Sequence, residues 1–438
     1  MKIKIEKMGI NGEGIGYTDR LPTFVESAYP GEIVEAEIVK RFERYVIAKR
    51  IELIQHSPHR IVAPCPIQDQ CGGCSIMTLS LDQQLKEKEK LLYESLRKYM
   101  TGKVPRIRPI VANPTPLGYR NQCKFPISLN QGELTSGMYK PNSNYFVSID
   151  HCIVHDESIE RVRKEVMRLS NEYRLPSFNP PKYQGLRYIV LRSFEGSVQV
   201  TLVTGQLKLP AKFVEDISKI EGVKTVAQSI NDVKHSREII KNKTDILWGS
   251  KTITCTMNGI DLVVSPQSFF QLNIKQANAI YNKVVASIEP CDCIVEAYCG
   301  IGAMSLMIKH KAKEVIGIDS IQAAIDNANI NAQINQADNV KFVAGDAAIS
   351  LQKIAASKKI DVLVVDPPRS GLSEQMLEII KESNIAQLIY VSCNPSTLAK
   401  NLEAIQSVYE ILEITPFDMF SHTPLIETVV NLRRKSPE

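Results

Sequence analysis

Over the first 56 positions apolar residues recur at period two. Ile3 and Ile5 alternate with lysine and glutamate, and Ile33, Val34, Ala36 and Ile38 carry a later run. Such alternation lays one face of a strand against a core. Asn11-Gly12-Glu13-Gly14 and Tyr29-Pro30-Gly31 break the runs as turns. The pattern predicts a small β-barrel over residues 1–56. Its last strand region is basic, with Lys40, Arg41, Arg44, Lys49 and Arg50. That face is either solvated or turned to a polyanion.

Residues 57–75 are rich in proline, glycine and cysteine and read as irregular structure. From Leu79 to Tyr99 the period changes. Leu81, Leu85, Leu91, Leu92 and Leu96 fall at helical spacing with lysine and glutamate between them. A structural helix with a solvated charged face is expected, placed to pack on the C-terminal domain. Residues 109–258 alternate apolar runs such as Tyr188–Leu191 and Val198–Val203 with turns, and Asn142–Asp150 reads as a loop leading into a strand. A central mixed α+β domain over 57–258 follows. From about 259 helical and strand-like stretches alternate: Gln276–Ser287, Ile294-Val295, Ala303–His310, Val315–Ile318, Ile321–Gln333, Val340–Val343, Val362–Val365 and Leu388–Val391. That rhythm predicts an α/β doubly wound, Rossmann-like domain over 259–438.

The 438 residues thus form a multidomain chain, 44% hydrophobic, with net charge +5. Mild basicity permits a nucleic-acid partner without requiring one. No stretch reaches the roughly 18 apolar residues of a membrane helix. The amino terminus lacks the apolar core of a signal peptide, so a cytoplasmic protein is expected. No obligate protein partner is inferred.

Candidate chemistry gathers at predicted strand ends. The strand through Glu296 runs into Ala297-Tyr298-Cys299-Gly300-Ile301-Gly302 and a helix. Glycines there let a backbone approach a ligand closely. A Gly-x-Gly alone fits a dinucleotide or S-adenosylmethionine. The dinucleotide fingerprint wants a third glycine, and Ser305 stands there instead. Acids follow four successive strands: Glu296, Asp319, Asp346 and Asp366. An acid-lined crevice suits the sulfonium and amine of S-adenosylmethionine, and Asp319 is placed for a ribose. Two later segments carry a second chemistry. Asp366-Pro367-Pro368-Arg369 is followed by Ser392-Cys393-Asn394-Pro395. A thiol at a strand end inside such a crevice can attack carbon 6 of a pyrimidine. The adduct then needs a base to remove the proton on carbon 5, and Glu427 at the tip of a late strand is the candidate. Cys123, Cys255, Cys291, Cys293 and Cys299 read as small core residues.

Cys65, Cys71 and Cys74 give C-x5-C-x2-C, with Cys152 far downstream. Three close thiols and one remote one suit a four-ligand metal site, and the spacing accepts zinc or an iron–sulfur cluster alike.

The motifs Ser268-Phe269-Phe270-Gln271-Leu272-Asn273, Tyr298–Gly302, Asp366–Arg369, Ser392–Pro395 and Glu427-Thr428-Val429 occur in the order found in uracil-5 RNA methyltransferases. Nearly the whole chain resembles that family. Gly12–Gly16, Val25, Pro30-Gly31-Glu32 and the basic strand resemble a TRAM domain, an OB-like RNA-binding barrel. The resemblance implies cofactor contacts at Gln271, Tyr298, Asp319 and Asp366, with Gly300 and Asp346 beside them. It implies Cys393 as nucleophile and Glu427 as base. It also implies a [4Fe–4S] cluster on Cys65, Cys71, Cys74 and Cys152, and large-subunit (23S) ribosomal RNA as substrate. A transfer-RNA enzyme and a non-catalytic RNA-binding module of the same fold remain the alternatives. A cytosine-5 enzyme is disfavoured because Asp366-Pro367-Pro368 replaces its Pro-Cys pair. Three positions depart from the family pattern: Gln122 where a basic residue is frequent, Glu296 for aspartate, and Leu425 for histidine.

Overall fold

A computed structural model describes residues 1–436 except Asn142, Pro180, Pro181, His235, Arg237 and Asn242. The expected loop at Asn142–Asp150 therefore begins outside the described residues. The chain divides into two compact units. One holds Met1–Pro116, Pro367–Glu382 and Gln387–Glu438, and the other Leu117–Asp366 and Ser383–Ala386.

The first unit opens with β1 (Lys2–Lys4), β2 (Lys7–Met8), β3 (Gly14–Thr18), β4 (Leu21–Val25), β5 (Ile33–Arg41) and β6 (Val46–Gln55). They form one sheet in the order β1-β5-β6-β4-β3-β2, with β4 and β6 parallel and the remaining pairs antiparallel. The sheet curls back on itself, so that Glu6 N–H donates to the Ile15 carbonyl at 2.9 Å. The close return explains the glycines of β3. A Cβ on Gly14 would lie 2.5 Å from the Ala28 oxygen, and one on Gly16 would collide with the Lys4 carbonyl. Inside are Ile3, Ile5, Val25, Ala28, Val34, Ala36 and Ala48; of the period-two positions Ile3, Ile5, Val34 and Ala36 are there, whereas Ile33 is half-buried and Ile38 exposed. The basic residues Lys40, Arg41, Arg44 and Lys49 are exposed, together with Ile38, Val39 and Ile51.

A one-turn helix, α1 (Gln68–Cys71), precedes α2 (Leu81–Tyr99). Met8 and Tyr29 of the barrel pack with Ile76, Leu79 and Leu91. The expected solvated face of α2 is only partly so, because Gln84, Glu87 and Lys88 are buried.

The second unit begins with β7 (Gln122–Asn130), β8 (Glu133–Tyr139), β9 (Phe146–Ser148), α3 (Glu157–Glu172), β10 (Leu186–Phe194), β11 (Ser197–Thr204), α4 (Ala211–Ser218), β12 (Val223–Ile230) and β13 (Thr244–Gly249). The sheet order is β13-β12-β11-β10-β7-β8-β9, antiparallel except for β11 with β12. A hairpin, β14 (Ile253–Met257) and β15 (Ile260–Val264), leads to α5 (Ile274–Ser287). Then follow β16 (Cys291–Ala297), α6 (Ala303–Ile308), β17 (Ala312–Asp319), α7 (Gln322–Ile334), β18 (Val340–Ala344), α8 (Ala347–Ser357) and β19 (Val362–Val365). These four strands are parallel in the order β18-β17-β16-β19. β16 and β19 are apolar and buried at their centres as strands covered on both faces are, whereas the edge strand β18 is largely exposed. The order reverses between β16 and β19, and ligands bind outside the carboxyl ends of strands at such a switch point.

The chain then returns to the first unit with α9 (Glu374–Glu382), β20 (Gln387–Ser392), α10 (Pro395–Ile405), β21 (Tyr409–Phe417) and β22 (Glu427–Arg434). The long strand β22 pairs antiparallel with both β20 and β21, and α2 lies against α10.

Candidate active site

The carboxyl ends of β16, β17 and β19 bring three acids together in the second unit. Glu296 is 3% exposed and receives a hydrogen bond from Ser305 Oγ of α6. Burial pushes its carboxyl up to about 8. The Ser305 bond opposes this, and the charges of Asp366 and Asp319 add to it. Asp366 is half-buried, and desolvation pushes it up to about 7. Ser305, which stands where a dinucleotide motif has glycine, thus bonds the acid of the first strand.

The turn after β16 is shaped by backbone demands. Tyr298 has φ 69°, Gly300 φ 54° and Gly302 φ 82°. At Gly302 a Cβ would collide with the Phe342 ring. Gly300 N–H donates to Asp319 Oδ2 at 2.9 Å, and Ile321 N–H donates to Oδ1 at 2.9 Å. Both carboxylate oxygens are oriented by backbone, and each keeps a further lone pair for a ligand hydroxyl. Asp346 is exposed and caps α8 by accepting from Ile349 N–H. Burial raises the Tyr298 phenol, and the Asp346 charge adds to that.

The segment carrying Gln271 is fixed by residues that no motif marked. Arg192, fully buried on β10, donates to the carbonyls of Ser265 (2.9 Å) and Ser268 (2.6 Å). Asn327 of α7 donates to Ser268 Oγ at 2.7 Å. Asn121 holds the Gln271 carbonyl at 2.9 Å through its side chain and the Leu272 carbonyl at 3.0 Å through its N–H. Gln122 is buried beside Arg192, and with its side-chain amide turned over its oxygen accepts from the Arg192 guanidinium at 2.8 Å. Its place is therefore beneath this segment. Asn121 lies in the polar stretch Arg120-Asn121-Gln122 and Arg192 follows the apolar run Ile189–Leu191, so the sequence offers no distinct signal for either.

The second pair of expected residues lies in the first unit. β20 and β22 are in register from Gln387↔Arg433 to Ser392↔Thr428. The ladder ends at that pair, and Cys393 and Glu427 are the residues that directly adjoin it on the two strands. Both are half-buried. Asn394 caps α10 by accepting from Ser396 N–H at 3.1 Å, and its amide donates to the Arg369 carbonyl at 3.0 Å. The Asn-Pro dipeptide thus starts the helix and ties it to the Pro-Pro-Arg turn. Leu372 N–H and the Tyr390 hydroxyl both donate to Asn401 Oδ1 (2.9 and 2.8 Å).

Of the remaining cysteines, Cys123 and Cys255 are buried and pushed up to about 12, in both cases chiefly by desolvation. Cys65, Cys71 and Cys74 lie around α1 in the first unit, whereas Cys152 belongs to the second. Burial raises the Cys71 thiol and the neighbouring Cys65 adds to this. The Cys152 N–H donates to Glu160 (3.1 Å), a carboxylate fixed by His155 and Arg163. Burial alone would raise Glu160, but those bonds hold it down at about 2. Among the described residues no group of three or more His, Cys, Asp or Glu side chains is disposed to hold a metal ion. Cys65, Cys71 and Cys74 are thus not gathered as a ligand set within the first unit.

A parallel sheet with its order reversal at β16/β19 and acids at the strand ends defines a Rossmann-like methyltransferase fold, preceded by an OB-like barrel. The family model described as tRNA (uracil-5-)-methyltransferase matches residues 80–435, and the TRAM domain model matches residues 1–50. The chain belongs to the tRNA (uracil-5-)-methyltransferase family, and it is an RNA methyltransferase with a TRAM domain. An uncharacterized RNA methyltransferase of Bacillus cereus is 38% identical over 99% of this chain and 96% of its own. One of Halalkalibacterium halodurans is 37% identical over 97% of this chain and 94% of its own. Among solved structures, the Pyrococcus abyssi tRNA (uracil-54, C5)-methyltransferase in complex with S-adenosyl-L-homocysteine is similar, with a TM-score of 0.80 and 27% identity. The match covers 99% of this chain and 100% of that one. No helix among the described residues is long and apolar enough to cross a membrane.

Proposed function

We propose that the protein methylates carbon 5 of a uridine in RNA through a covalent cysteine–uracil adduct. The observation that supports this is the β20–β22 register, whose last pair, Ser392↔Thr428, is directly adjoined by Cys393 on one strand and Glu427 on the other. The Cys393 sulfur, as thiolate, forms a bond to carbon 6 of the uracil, and the C5=C6 electron pair moves to carbon 5. Cys393 precedes the N-cap of α10, where the helix dipole favours negative charge. S-adenosylmethionine, when bound, would supply an electrophilic methyl group to which that pair at carbon 5 bonds, the S–CH3 electrons remaining on sulfur in the leaving S-adenosylhomocysteine. Glu427 then takes the proton from carbon 5, the electrons of that C–H bond restore C5=C6, and the C6–S bond breaks to release Cys393 as thiolate. The acids Glu296, Asp319 and Asp366 fit a cationic cofactor, because burial leaves two of them short of counter-charge. Asp319 would hold the ribose, and Gln271, Tyr298, Gly300 and Asp346 would line the remainder. The exposed basic and apolar face of the barrel suits an RNA backbone.

For the target, the TRAM domain and the three-plus-one cysteines support large-subunit ribosomal RNA. The likeness to a tRNA (uracil-54, C5)-methyltransferase supports transfer RNA as the second reading. Mapping 5-methyluridine in both RNAs from cells with and without the gene separates them. Loss from neither RNA would favour a binding module. RNA containing 5-fluorouridine should trap the wild-type enzyme, since fluorine cannot leave as a proton does, and Cys393→Ala should not be trapped. A denaturation-resistant adduct in that variant would remove Cys393 from the chemistry. The spacing of Cys65, Cys71, Cys74 and Cys152 supports a metal site, and the family resemblance favours a [4Fe–4S] cluster over zinc there. Metal analysis of anaerobically purified protein decides it, with about four irons per chain for a cluster and no iron against one.

A further inference from the structure

Residues 418–426 connect β21 to β22 and carry Glu427 at their end, the loop being closed at its base by the Phe417↔Glu427 pair. Connecting segments mostly run over the surface, since buried ones leave backbone groups unpaired. In this one Asp418, Met419, Ser421, His422 and Ile426 are buried, so its polar groups need partners from elsewhere in the chain. They come chiefly from α2. Lys88, wholly buried, donates to the Asp418 carboxylate and to the Phe420 carbonyl at 3.0 Å. Ser421 Oγ donates to the other Asp418 oxygen at 2.6 Å, and Asn113 Nδ2 donates to Ser421 Oγ at 3.1 Å. One turn back along α2, Gln84 Oε1 accepts from His422 N–H at 2.9 Å. His422 has φ 68°, a conformation that a non-glycine residue adopts only when its surroundings impose it.

Two side chains four apart on one helix face therefore fix the loop at Asp418, Phe420 and His422. A pair of apolar residues of similar volume would hold a loop about as firmly as a buried ion pair. What the ammonium adds is direction: it orients one carboxylate and one carbonyl together. We propose that Lys88, paired with Asp418, is a positioning residue that sets Glu427 opposite Cys393 for removal of the carbon-5 proton. This rests on the assignment of Glu427 as the base.

The test is Lys88→Met in the full-length enzyme, assayed with methyl-labelled S-adenosylmethionine and unmodified RNA. Misplacing a catalytic group by about 1 Å costs about 100-fold. The turnover number should fall on that order, KM for RNA should fall with it because kcat/KM is set by the earlier steps, and a labelled protein–RNA adduct should survive on a denaturing gel. Attack and methyl transfer proceed there while proton removal lags. Glu427→Gln on the same gel should accumulate the same adduct. Its failure to do so would remove the base assignment itself. Leu92→Ala, buried on the same helix, should lower thermal stability without adduct. If Lys88→Met does not fold, Ser421→Ala, which leaves the ion pair in place, should show a smaller amount of adduct. A folded Lys88→Met, or in its absence Ser421→Ala, with no more adduct than Leu92→Ala would overturn the proposal while Glu427→Gln still stands.

Discussion

Glu296→Gln should abolish most of the dependence of stability on alkaline pH. Glu296 is buried with one hydrogen bond from Ser305, and its carboxyl is pushed from 4.5 up to about 8. The folded value lies above the unfolded one, so the unfolded chain releases its proton first as pH rises. The contribution to stability is complete below about pH 4.5 and declines until pH passes about 8. Each pH unit in that window is worth about 1.4 kcal/mol. Between pH 6 and pH 9 the wild type should lose about 2.5 kcal/mol through this group, an order-of-magnitude figure. Asp366, pushed up to about 7, acts in the same direction. It is half-exposed, so its share is reduced by solvent screening and remains in the variant as a shallower decline. Urea unfolding without added cofactor reads the effect. The single tryptophan, Trp248, lies in the same unit as Glu296 and reports on it. Glutamine should flatten the profile and leave the variant more stable than wild type at pH 9. Equal losses in the two proteins between pH 6 and 9 would refute the burial argument.

Affinity for S-adenosylmethionine should rise from pH 6 to pH 8 as Asp366 ionises, and calorimetry with S-adenosylhomocysteine, which lacks the sulfonium charge, should show a weaker trend. Asp319→Ala should weaken cofactor binding by about 1–3 kcal/mol through lost hydrogen bonds, and unchanged affinity by calorimetry would exclude Asp319 from the site. In the barrel, Glu32 is buried and accepts from Arg60 Nε (2.6 Å), Arg60 Nη2 (2.9 Å) and Tyr29 N–H (2.9 Å). Removing one partner of such a pair costs about 3–5 kcal/mol. Glu32→Ala should therefore lower the melting temperature and RNA affinity together while leaving cofactor affinity intact, and a cofactor affinity that falls in parallel would count against that separation.

Sequence alone determined whatever depends on local repetition. Period-two apolar residues in the first 56 positions specified the barrel strands, but Gly14 reads there as part of a turn, and only the closed barrel shows the backbone approach that requires glycine in β3. The βα rhythm after 259 specified the parallel strands, since strands covered on both faces must be apolar throughout. The acids after these strands and the Cys-Asn-Pro segment were legible because strand ends are where polar residues interrupt such runs. Tertiary structure decided what depends on partners remote in the chain. Lys88 looks like one more solvated charge on an amphipathic helix, yet it meets Asp418, 330 positions away. Gln122 looks like a missing cation, yet it serves Arg192 beneath the Gln271 segment. The cysteine spacing suggested a gathered four-ligand set, but spacing along a chain does not fix distance in space, and the described side chains form no such group. Periodicity encodes which face is buried. It does not encode which buried polar groups find one another, because that pairing is set by how the elements pack.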